Sequence, residues 1–454
     1  MDFNEQNILN GGAEPQNEQE KFQKKHYITL TVLLVILSAL ITFIVTYAVM
    51  DIKTELRMRE YEKEYNLRLD QLEEFESIVE LYNSMPAELR NIDLYRKLAY
   101  IDYYYRSLYL NEIDEEKLIY AIANSYIIGA EDKFGAYYSA DEFDEMMTDT
   151  EGNLVGIGVY VSIDTESGNI KLLYVMKNGP AHEAGMLPGD VITHVGDTSV
   201  AELGYYQAID AIKGKEGTSV KVTYVRGEES YTKELKRAKV EAETVIYSKH
   251  ESDPKTGVIR IVEFDEGMPA QFKKAVDELV KGGCTSLVFD LRNNPGGTLT
   301  SVLDILDFLL PKGVITSIRY ADGSISKVYH SDEEGEEFDK LYGKDIKMAV
   351  LVNGNTASAA ELFTCTLKDY GRAVIVGEKT YGKGCGQNII MLPDGDGIAL
   401  TTFLYDPPKS KNYNGVGIEP DIVEPLSEEA SQKNIFELTH SEDNQLNRAV
   451  SALK

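Results

Sequence analysis

Tryptophan is absent from this sequence of 454 residues, which contains only three cysteines and six histidines. The cysteines (Cys284, Cys365 and Cys385) are odd in number and lack CxxC spacing, which argues against a disulfide framework or a zinc site. The histidines show no HExxH or similar pairing, so no ligand set for metal catalysis is visible. We expect no cofactor. Basic residues are also scarce, because 46 Lys and Arg face 75 Asp and Glu, giving a net charge of -29. Nucleic acid is therefore not an expected partner, since its phosphates would repel the chain.

One long apolar segment interrupts a chain that is otherwise typical of globular proteins. The composition, 43% apolar and 27% charged, indicates a globular chain, and its length of 454 residues predicts two or three domains with appendages. Residues 26–50 contain no acidic or strongly basic side chain and would cross roughly 30 Å of hydrocarbon as a helix. No small-x-small cleavage site follows, so we expect an uncleaved membrane anchor. Residues 1–25 would form a polar cytoplasmic tail, with the body of the protein outside the cell membrane.

Changes in sequence pattern divide the rest of the chain. Residues 51–92 alternate charged and apolar side chains and predict an amphipathic helical stalk, and residues 93–151 predict a further helical region. Short strand-like runs between Gly, Pro and Asp turns predict a β-rich module at residues 152–240. Strand and helix patterns alternate over residues 241–426, which predicts an α/β domain. Residues 427–454 are polar and predict a surface helix or a loose tail.

In the β-rich module, a glycine pair precedes a strand. The backbone N–H groups of Gly156, Ile157 and Gly158 could hold an anion such as a peptide carboxylate, although in isolation an ordinary turn explains them as well. The later stretch GPAHEAGMLPGDVI, Gly179–Ile192, closely resembles the PDZ-domain pattern of a Pro-Ala pair before a short helix and a Gly-Asp turn before a strand. This resemblance implies that the module binds peptide C-termini.

Two strand-to-helix junctions in the α/β half carry candidate chemistry. In VNGNTASAAELF, Ser358 stands between an apolar run and a helical pattern, where it could be a nucleophile or only a capping residue. Thr356 is a second candidate for that cap. In DLRNNPGG, Gly296 and Gly297 allow close backbone approach and could donate N–H groups to an oxyanion, although a tight turn explains them in isolation.

A third motif, YGKGCGQ, places Lys383 between two glycines. If the stretch is extended, Lys383, Cys385 and Gln387 share one face, because strand side chains alternate. A lysine acts as a base only when neutral, so burial must lower its pKa from about 10.4. Gln387 could hold the amine without adding a negative charge. The alternative is a solvated surface lysine.

These motifs occur in an order that resembles the C-terminal processing peptidases, or tail-specific proteases, from about Leu94 to Pro425. The resemblance implies Ser358 as nucleophile, Lys383 as general base and Gln387 as the residue that orients the lysine. We further expect an oxyanion hole made by the N–H of Ala359 and that of Gly296 or Gly297. Asp369 matches an acid of the family, and we assign it a structural role.

The implied fold is an α/β protease core of the crotonase or ClpP-like type, with a PDZ domain, a helical N-terminal region and one transmembrane helix. The implied function is a membrane-anchored serine endopeptidase that cleaves extracytoplasmic proteins recognised by their free C-termini. A homodimer is a reasonable expectation from the same resemblance. The main alternative is a catalytically silent, membrane-anchored peptide-binding scaffold. A crotonase-type acyl-transfer enzyme would share the oxyanion-hole logic, but it needs neither the PDZ module nor the anchor.

Overall fold

The computed structural model of the protein describes residues 79, 82–87, 90–331 and 337–454. The chain divides into two compact units, Met1–Ile113 and Asp114–Lys454. The predicted tail, the predicted anchor at residues 26–50 and nearly all of the predicted stalk lie outside the described residues. Within the described ranges, none of the helices combines the length and the apolar character needed to cross a bilayer.

In the first unit, helix α1 spans Ile92–Leu108. Asn91 begins the helix, because its side-chain oxygen accepts a hydrogen bond from the N–H of Leu94 at 3.1 Å. No residue of α1 is buried. Its exposed aromatic side chains include Tyr95, Tyr100, Tyr103, Tyr104 and Tyr105.

The second unit opens with helix α2 (Glu115–Gly129), strand β1 (Ala136–Tyr138) and helix α3 (Ala140–Thr150). The Glu142 carboxylate accepts hydrogen bonds from the N–H and the hydroxyl of Ser139, both at 2.9 Å, which fixes the start of α3. Strand β1 pairs antiparallel with the strand Gly397–Asp406. The predicted helical region therefore also contributes a strand to a sheet formed by residues far along the chain.

The β-rich module is built on an antiparallel sheet. Its strands are β2 (Asn153–Gly156), β3 (Val159–Ile163), β4 (Ile170–Val175), β5 (Val191–Val195), β6 (Thr198–Ser199), β7 (Ser219–Arg226), β8 (Glu229–Lys236) and β9 (Ala238–Glu241), and its helices are α4 (Pro180–Glu183), α5 (Val200–Leu203) and α6 (Tyr205–Ile212). The main sheet has the order β3-β4-β5-β7-β8, with β6 on β5, while β2 pairs with β9. Alternate residues of β4 and β7, such as Leu172 and Val222, fill its core.

The α/β half contains the remaining elements. They are strands β10 (Val245–Lys249), β11 (Thr256–Ile261), β12 (Ser286–Asp290), β13 (Val314–Tyr320), β14 (Ile325–His330), β15 (Lys347–Val352), β16 (Val374–Gly377), β17 (Cys385–Met391), β18 (Gly397–Asp406) and β19 (Ile422–Val423), and helices α7 (Met268–Lys281), α8 (Leu299–Leu309), α9 (Glu337–Tyr342), α10 (Ala359–Tyr370) and α11 (Asn444–Ala452). The central sheet has the order β10-β11-β12-β15-β16-β19. Strand β10 is antiparallel to β11, and the other neighbours are parallel.

Both faces of the central sheet are covered, which explains why its strands are continuous apolar runs. Leu287 and Phe289 of β12 pack into the cluster that includes α7, α8 and α10, whereas Val288 packs on the opposite face with residues of α11. Because β12 and β15 are parallel neighbours, the loops that follow them meet at one edge of the sheet. Those two loops carry DLRNNPGG and the Ser358 motif.

A second sheet lies beside the first and has the order β1-β18-β13-β14, with β17 also paired to β18. These pairings are antiparallel. Strand β17 begins two residues after Lys383, and β1 joins the same sheet through β18. The loop before β1 is therefore close to the lysine. Asp132 in that loop accepts hydrogen bonds from the N–H of Thr401 at 3.0 Å and its hydroxyl at 2.8 Å.

Residues 427–454 do not form a loose tail. Short 3-10 turns at Ala430–Gln432 and Ile435–Glu437 lead to helix α11, whose apolar face is buried on the central sheet. The sequence pattern predicts a surface helix or a loose tail there, and the structure has the helix, but with one face buried. The buried face is not evident from the sequence, because its apolar residues are few. They include Leu446, Ala449, Val450 and Leu453.

Candidate active site

Ser358 lies at a sharp turn between β15 and α10. It is the N-cap residue of α10, and its backbone has φ 56° and ψ -120°, a conformation that L-residues rarely adopt. Ser358 is only 8% exposed to solvent. A nucleophilic serine on a strained strand-to-helix turn is a recurring arrangement in hydrolases, where the turn presents the hydroxyl to the substrate.

The capping role expected for Thr356 is wrong, because Ser358 occupies the N-cap position. The hydroxyl of Thr356 instead accepts a hydrogen bond from the N–H of Asn353 at 3.0 Å and donates one to the carbonyl of Leu291 at 2.8 Å. Thr356 therefore joins the loop after β15 to the end of β12. Local propensity could not distinguish the two positions, since both Ser and Thr favour caps.

The loop after β12 packs directly against Ser358. A Cβ atom added to Gly296 would lie 2.7 Å from the Ser358 Cβ and 2.9 Å from the backbone N of Ala359. At Gly297, where φ is 135°, a Cβ atom would overlap the backbone of Phe264. Both positions therefore require glycine, and the structure brings Gly296, Ala359 and Ser358 into contact distance.

The two glycines offer different N–H groups to this site. Gly296 already donates its N–H to the Asn294 side-chain oxygen at 2.8 Å. The carbonyl of Gly296 and the N–H of Thr298 both bond to the backbone of Phe264, so the N–H of the intervening Gly297 points the other way. Ala359 opens α10, where the first N–H groups lack intrahelical acceptors. Of the predicted donors, Gly297 and Ala359 are thus better placed than Gly296.

Lys383 is half-buried just before β17. Its Nζ donates to Gln387 Oε1 at 3.0 Å and lies 4.7 Å from the centre of the Phe134 ring. Gln387 is held in turn, because its Nε2 donates to the carbonyl of Phe134. Burial lowers the pKa of Lys383, while Cys385 and Asp132 oppose that shift. The predicted pairing of the lysine with a neutral amide is therefore present in the structure.

One buried carboxylate connects the serine turn to the lysine segment. Glu361 is 0% exposed, and its Oε2 accepts hydrogen bonds from the N–H of Ser358 at 3.0 Å and that of Lys383 at 2.7 Å. Its Oε1 accepts from the N–H of Gly382 at 2.7 Å and from the Thr380 hydroxyl at 2.5 Å. Burial raises the pKa of Glu361, although these four donors favour the charged form. The two predicted catalytic residues thus share a single backbone anchor.

A separate groove lies in the β-rich module. Gly156, Ile157 and Gly158 line a cavity of about 540 Å³ together with Ile209 and Ile212 of α6. The carbonyl of Ile157 accepts the N–H of Ala181 at 2.9 Å, which fixes this loop against α4. Helix α3 contributes a further wall with acidic side chains, including Asp144, Glu145 and Asp149. Glu145 forms an ion pair with Lys213 at the rim of the cavity.

Two known families match parts of this second unit. The family described as "Peptidase family S41" matches residues 255–424, and the family described as "PDZ domain" matches residues 172–226. The chain therefore carries a domain that matches the S41 peptidases and one that matches the PDZ domains. The predictions of an α/β protease core and a PDZ domain are confirmed.

Curated proteins that resemble this chain carry protease names. A probable CtpA-like serine protease of Staphylococcus haemolyticus is 32% identical over 330 residues, which cover 72% of this chain and 64% of the relative. One of Staphylococcus aureus is 31% identical over 337 residues, covering 74% of this chain and 65% of the relative. This chain thus spans slightly less than two thirds of the length of these relatives.

A solved structure supports the fold. A protein of Bacteroides fragilis described as "Putative S41 protease" superimposes with a TM-score of 0.51 at 18% identity, covering 72% of this chain and 87% of that one. At this identity the likeness concerns the fold alone.

Sequence reasoning missed two residues of the candidate site, Phe134 and Glu361. Glu361 was visible as the fourth residue of a Ser-x-x-Glu capping box that begins at Ser358. Phe134 lies 253 positions from Gln387, and no local pattern marks it. Asp369 accepts hydrogen bonds from the N–H groups of Lys409 at 2.9 Å and Ser410 at 2.8 Å, so it holds a turn, in agreement with the structural role assigned to it.

Proposed function

We propose that this chain is a serine endopeptidase in which Ser358 is the nucleophile, Lys383 the general base and Gln387 the residue that orients the lysine. The observation that carries the proposal is the shared Glu361 anchor, which holds a strained serine turn and a partly buried lysine to the same oxygen atom. A lysine whose pKa is lowered by burial and whose partner is a neutral amide is suited to accept a proton.

The proposed reaction proceeds through an acyl-enzyme. Lys383 accepts the hydroxyl proton as Ser358 Oγ attacks the substrate carbonyl, and the resulting oxyanion is stabilised by the N–H groups of Gly297 and Ala359. The C–N bond then breaks as Lys383 returns the proton to the leaving amine. Water attacks the ester by the same route, releasing the acid and restoring the serine.

A catalytically silent peptide-binding scaffold is the competing proposal. Such a protein would retain the PDZ groove but would have no use for a strained serine turn or for a base held without a neutralising acid. Incubating the purified chain with an unfolded test protein distinguishes the two proposals. The endopeptidase proposal expects internal fragments from the wild-type chain, and it fails if the protein stays intact at every pH tried.

We propose that the PDZ groove selects substrates by their free C-terminus. The groove is apolar along Ile209 and Ile212 and is bordered by the loop Gly156–Gly158, whose backbone suits a carboxylate. The acidic side chains that α3 adds to its wall would disfavour peptides with acidic residues near their end.

Amidation of the C-terminus of a good peptide substrate is expected to lower kcat/KM by about 10-fold or more, because charge-assisted hydrogen bonds to the carboxylate are worth about 1.5–3 kcal/mol. The measurement compares cleavage rates of the two peptides. As a control, Ile209→Asp should make both peptides equally poor substrates by placing a charge in the groove. Equal rates for the free and amidated peptides with the wild-type chain would rule out this role of the groove.

We further propose that residues 26–50 anchor the chain in the cell membrane, with the catalytic body outside. This proposal rests on the long uncharged apolar run in the sequence. The full chain is expected in the membrane fraction and should resist alkaline extraction, whereas a variant lacking residues 1–50 should be soluble. Recovery of the full chain in the soluble fraction would contradict the proposal.

A further inference from the structure

Arg292, in the loop that carries the glycines, is fully enclosed by acceptors. Its side chain is 0% exposed, and its Nε and Nη2 donate to the Asp290 carboxylate at 2.8 Å and 2.7 Å. The other side of the guanidinium donates to Asp443 at 3.0 Å and 2.6 Å and to Gln445 Oε1 at 3.1 Å. A planar guanidinium with acceptors on two sides has one orientation, so these contacts fix its position.

Two of those acceptors belong to the C-terminal segment, beyond the residues 255–424 that match the S41 family. Asp443 is the N-cap residue of α11 and also accepts the N–H of Leu446 at 2.9 Å. Gln445 is itself anchored, because its Nε2 donates to the carbonyl of Glu424 at 2.6 Å. Since the apolar face of α11 is buried on the central sheet, the segment holds its two polar residues rigidly.

The network is balanced in charge. Asp290 also accepts from Arg260 at 2.9 Å, so two arginines and two aspartates neutralise one another. Although burial raises the pKa of Asp290, the charges of Arg292 and Arg260 hold it well below its ordinary value. Loss of the Asp443 charge would leave one side of a buried guanidinium without its counter-ion.

Asn294, two positions after Arg292, connects this network to the candidate site. The side-chain Nδ2 of Asn294 donates a hydrogen bond to the carbonyl of Ile261 at 2.8 Å. Its side-chain oxygen accepts the N–H of Gly296, and its carbonyl accepts the N–H of Ala357 at 3.0 Å. The position of Arg292 therefore bears on the glycine loop and on the residue immediately before Ser358.

We propose that Asp443 and Gln445 are positioning residues for the reaction at Ser358. They act through Arg292 and Asn294 to hold the N–H groups of Gly297 and Ala359 in the orientation that an oxyanion requires. The C-terminal segment is on this account a part of the catalytic apparatus that the S41 match omits. The effect on the reaction rests on the proposed function, whereas the restraint of the glycine loop by the C-terminal segment does not.

The test uses Asp443→Asn in the full chain, which removes the charge with little change in volume. We expect kcat to fall by about 10- to 100-fold, because small displacements of catalytic donors have effects of that size. KM for a peptide substrate should stay within about twofold. Hydrogen–deuterium exchange in the peptide covering residues 291–300 should become faster in the same variant.

Asp339→Asn is the matched control, because it breaks a comparable ion pair with Arg372, 2.6 Å long and mostly buried, in the same domain. It should lower the melting temperature without changing kcat or exchange at residues 291–300. If Asp443→Asn fails to fold, Gln445→Ala removes one acceptor only and is expected to lower kcat about threefold or more.

Two results would overturn the inference. One is an unchanged kcat in folded Asp443→Asn or Gln445→Ala, and the other is an equal loss of kcat in Asp339→Asn. If the wild-type chain cleaves nothing, the proposed function fails on its own account. The exchange measurement then still decides whether the C-terminal segment holds the glycine loop, and unchanged exchange would reject that as well.

Discussion

Replacing Ser358 by alanine is expected to reduce cleavage of a peptide substrate by about 10⁴-fold or more, because no other group can form the acyl-enzyme. The substitution removes one oxygen atom and keeps the turn, whose N–H bond to Glu361 does not involve the hydroxyl. Folding should therefore be preserved, and the affinity of the PDZ groove for a peptide should be unchanged. The measurement is kcat/KM together with the melting temperature and a peptide-binding constant.

Ser286→Ala provides a matched control for this experiment. Ser286 is in the same domain and has the same exposed fraction as Ser358, 8%, but its hydroxyl pairs with Thr256 at 2.8 Å, at the start of β12. It should retain nearly all activity. Cleavage by Ser358→Ala at more than about 1% of the wild-type rate would contradict the assignment of the nucleophile, since loss of a covalent nucleophile costs far more than that.

Replacing Lys383 is expected to be nearly as damaging, and the choice of replacement distinguishes a base from a fixed charge. Lys383→Ala removes the proton acceptor, and Lys383→Arg retains a positive charge that cannot be given up near neutral pH. If Lys383 is the base, both variants should lose about 10³-fold or more in kcat. If the lysine served only to stabilise negative charge, Lys383→Arg would keep much of the activity. Lys379→Ala is the control, because Lys379 forms a surface ion pair with Glu419. This variant should keep the wild-type kcat.

The pH dependence of the wild-type chain follows from the same residue. Only the neutral amine accepts a proton, so kcat/KM should rise with pH up to the pKa of Lys383 and then level off. Burial lowers that pKa below the ordinary value for lysine, so the rise should be complete at a lower pH than an exposed lysine would give. Activity that fell steadily with increasing pH between 6 and 9 would have the wrong sign for this mechanism.

The sequence was sufficient to identify the residues proposed as catalytic, because each lies in a short pattern with a physical reason. The apolar run before Asn353 became β15, and the Ala-rich stretch became α10, as their periodicity predicts. The glycines of DLRNNPGG were expected to permit close approach, and Gly296 does contact Ser358. In these cases the residues that determine the local structure are neighbours in the chain.

The parts that the sequence did not predict depend on contacts between distant residues. Phe134 reaches Lys383 only because β1 joins the same sheet as β17 through β18. Asp443 contacts Arg292, which lies 151 positions earlier in the sequence. The sequence around Asp443 is a polar stretch before a short helix. In the sequence, Glu361 resembles an ordinary capping glutamate. Only the fold places the N–H groups of Gly382 and Lys383 at its carboxylate. Such pairings arise from topology, which no local pattern encodes.

The central claim is that Lys383 activates Ser358, and the rate of covalent labelling by a serine-reactive probe tests it most directly. The modified residue is identified by mass spectrometry, and the rate is compared among the wild-type chain, Lys383→Arg and Lys379→Ala across pH. We predict labelling at Ser358 alone, at similar rates in wild type and Lys379→Ala, increasing with pH, and slower by about 10³-fold in Lys383→Arg. Labelling at another serine, or equal rates in wild type and Lys383→Arg, would contradict the mechanism.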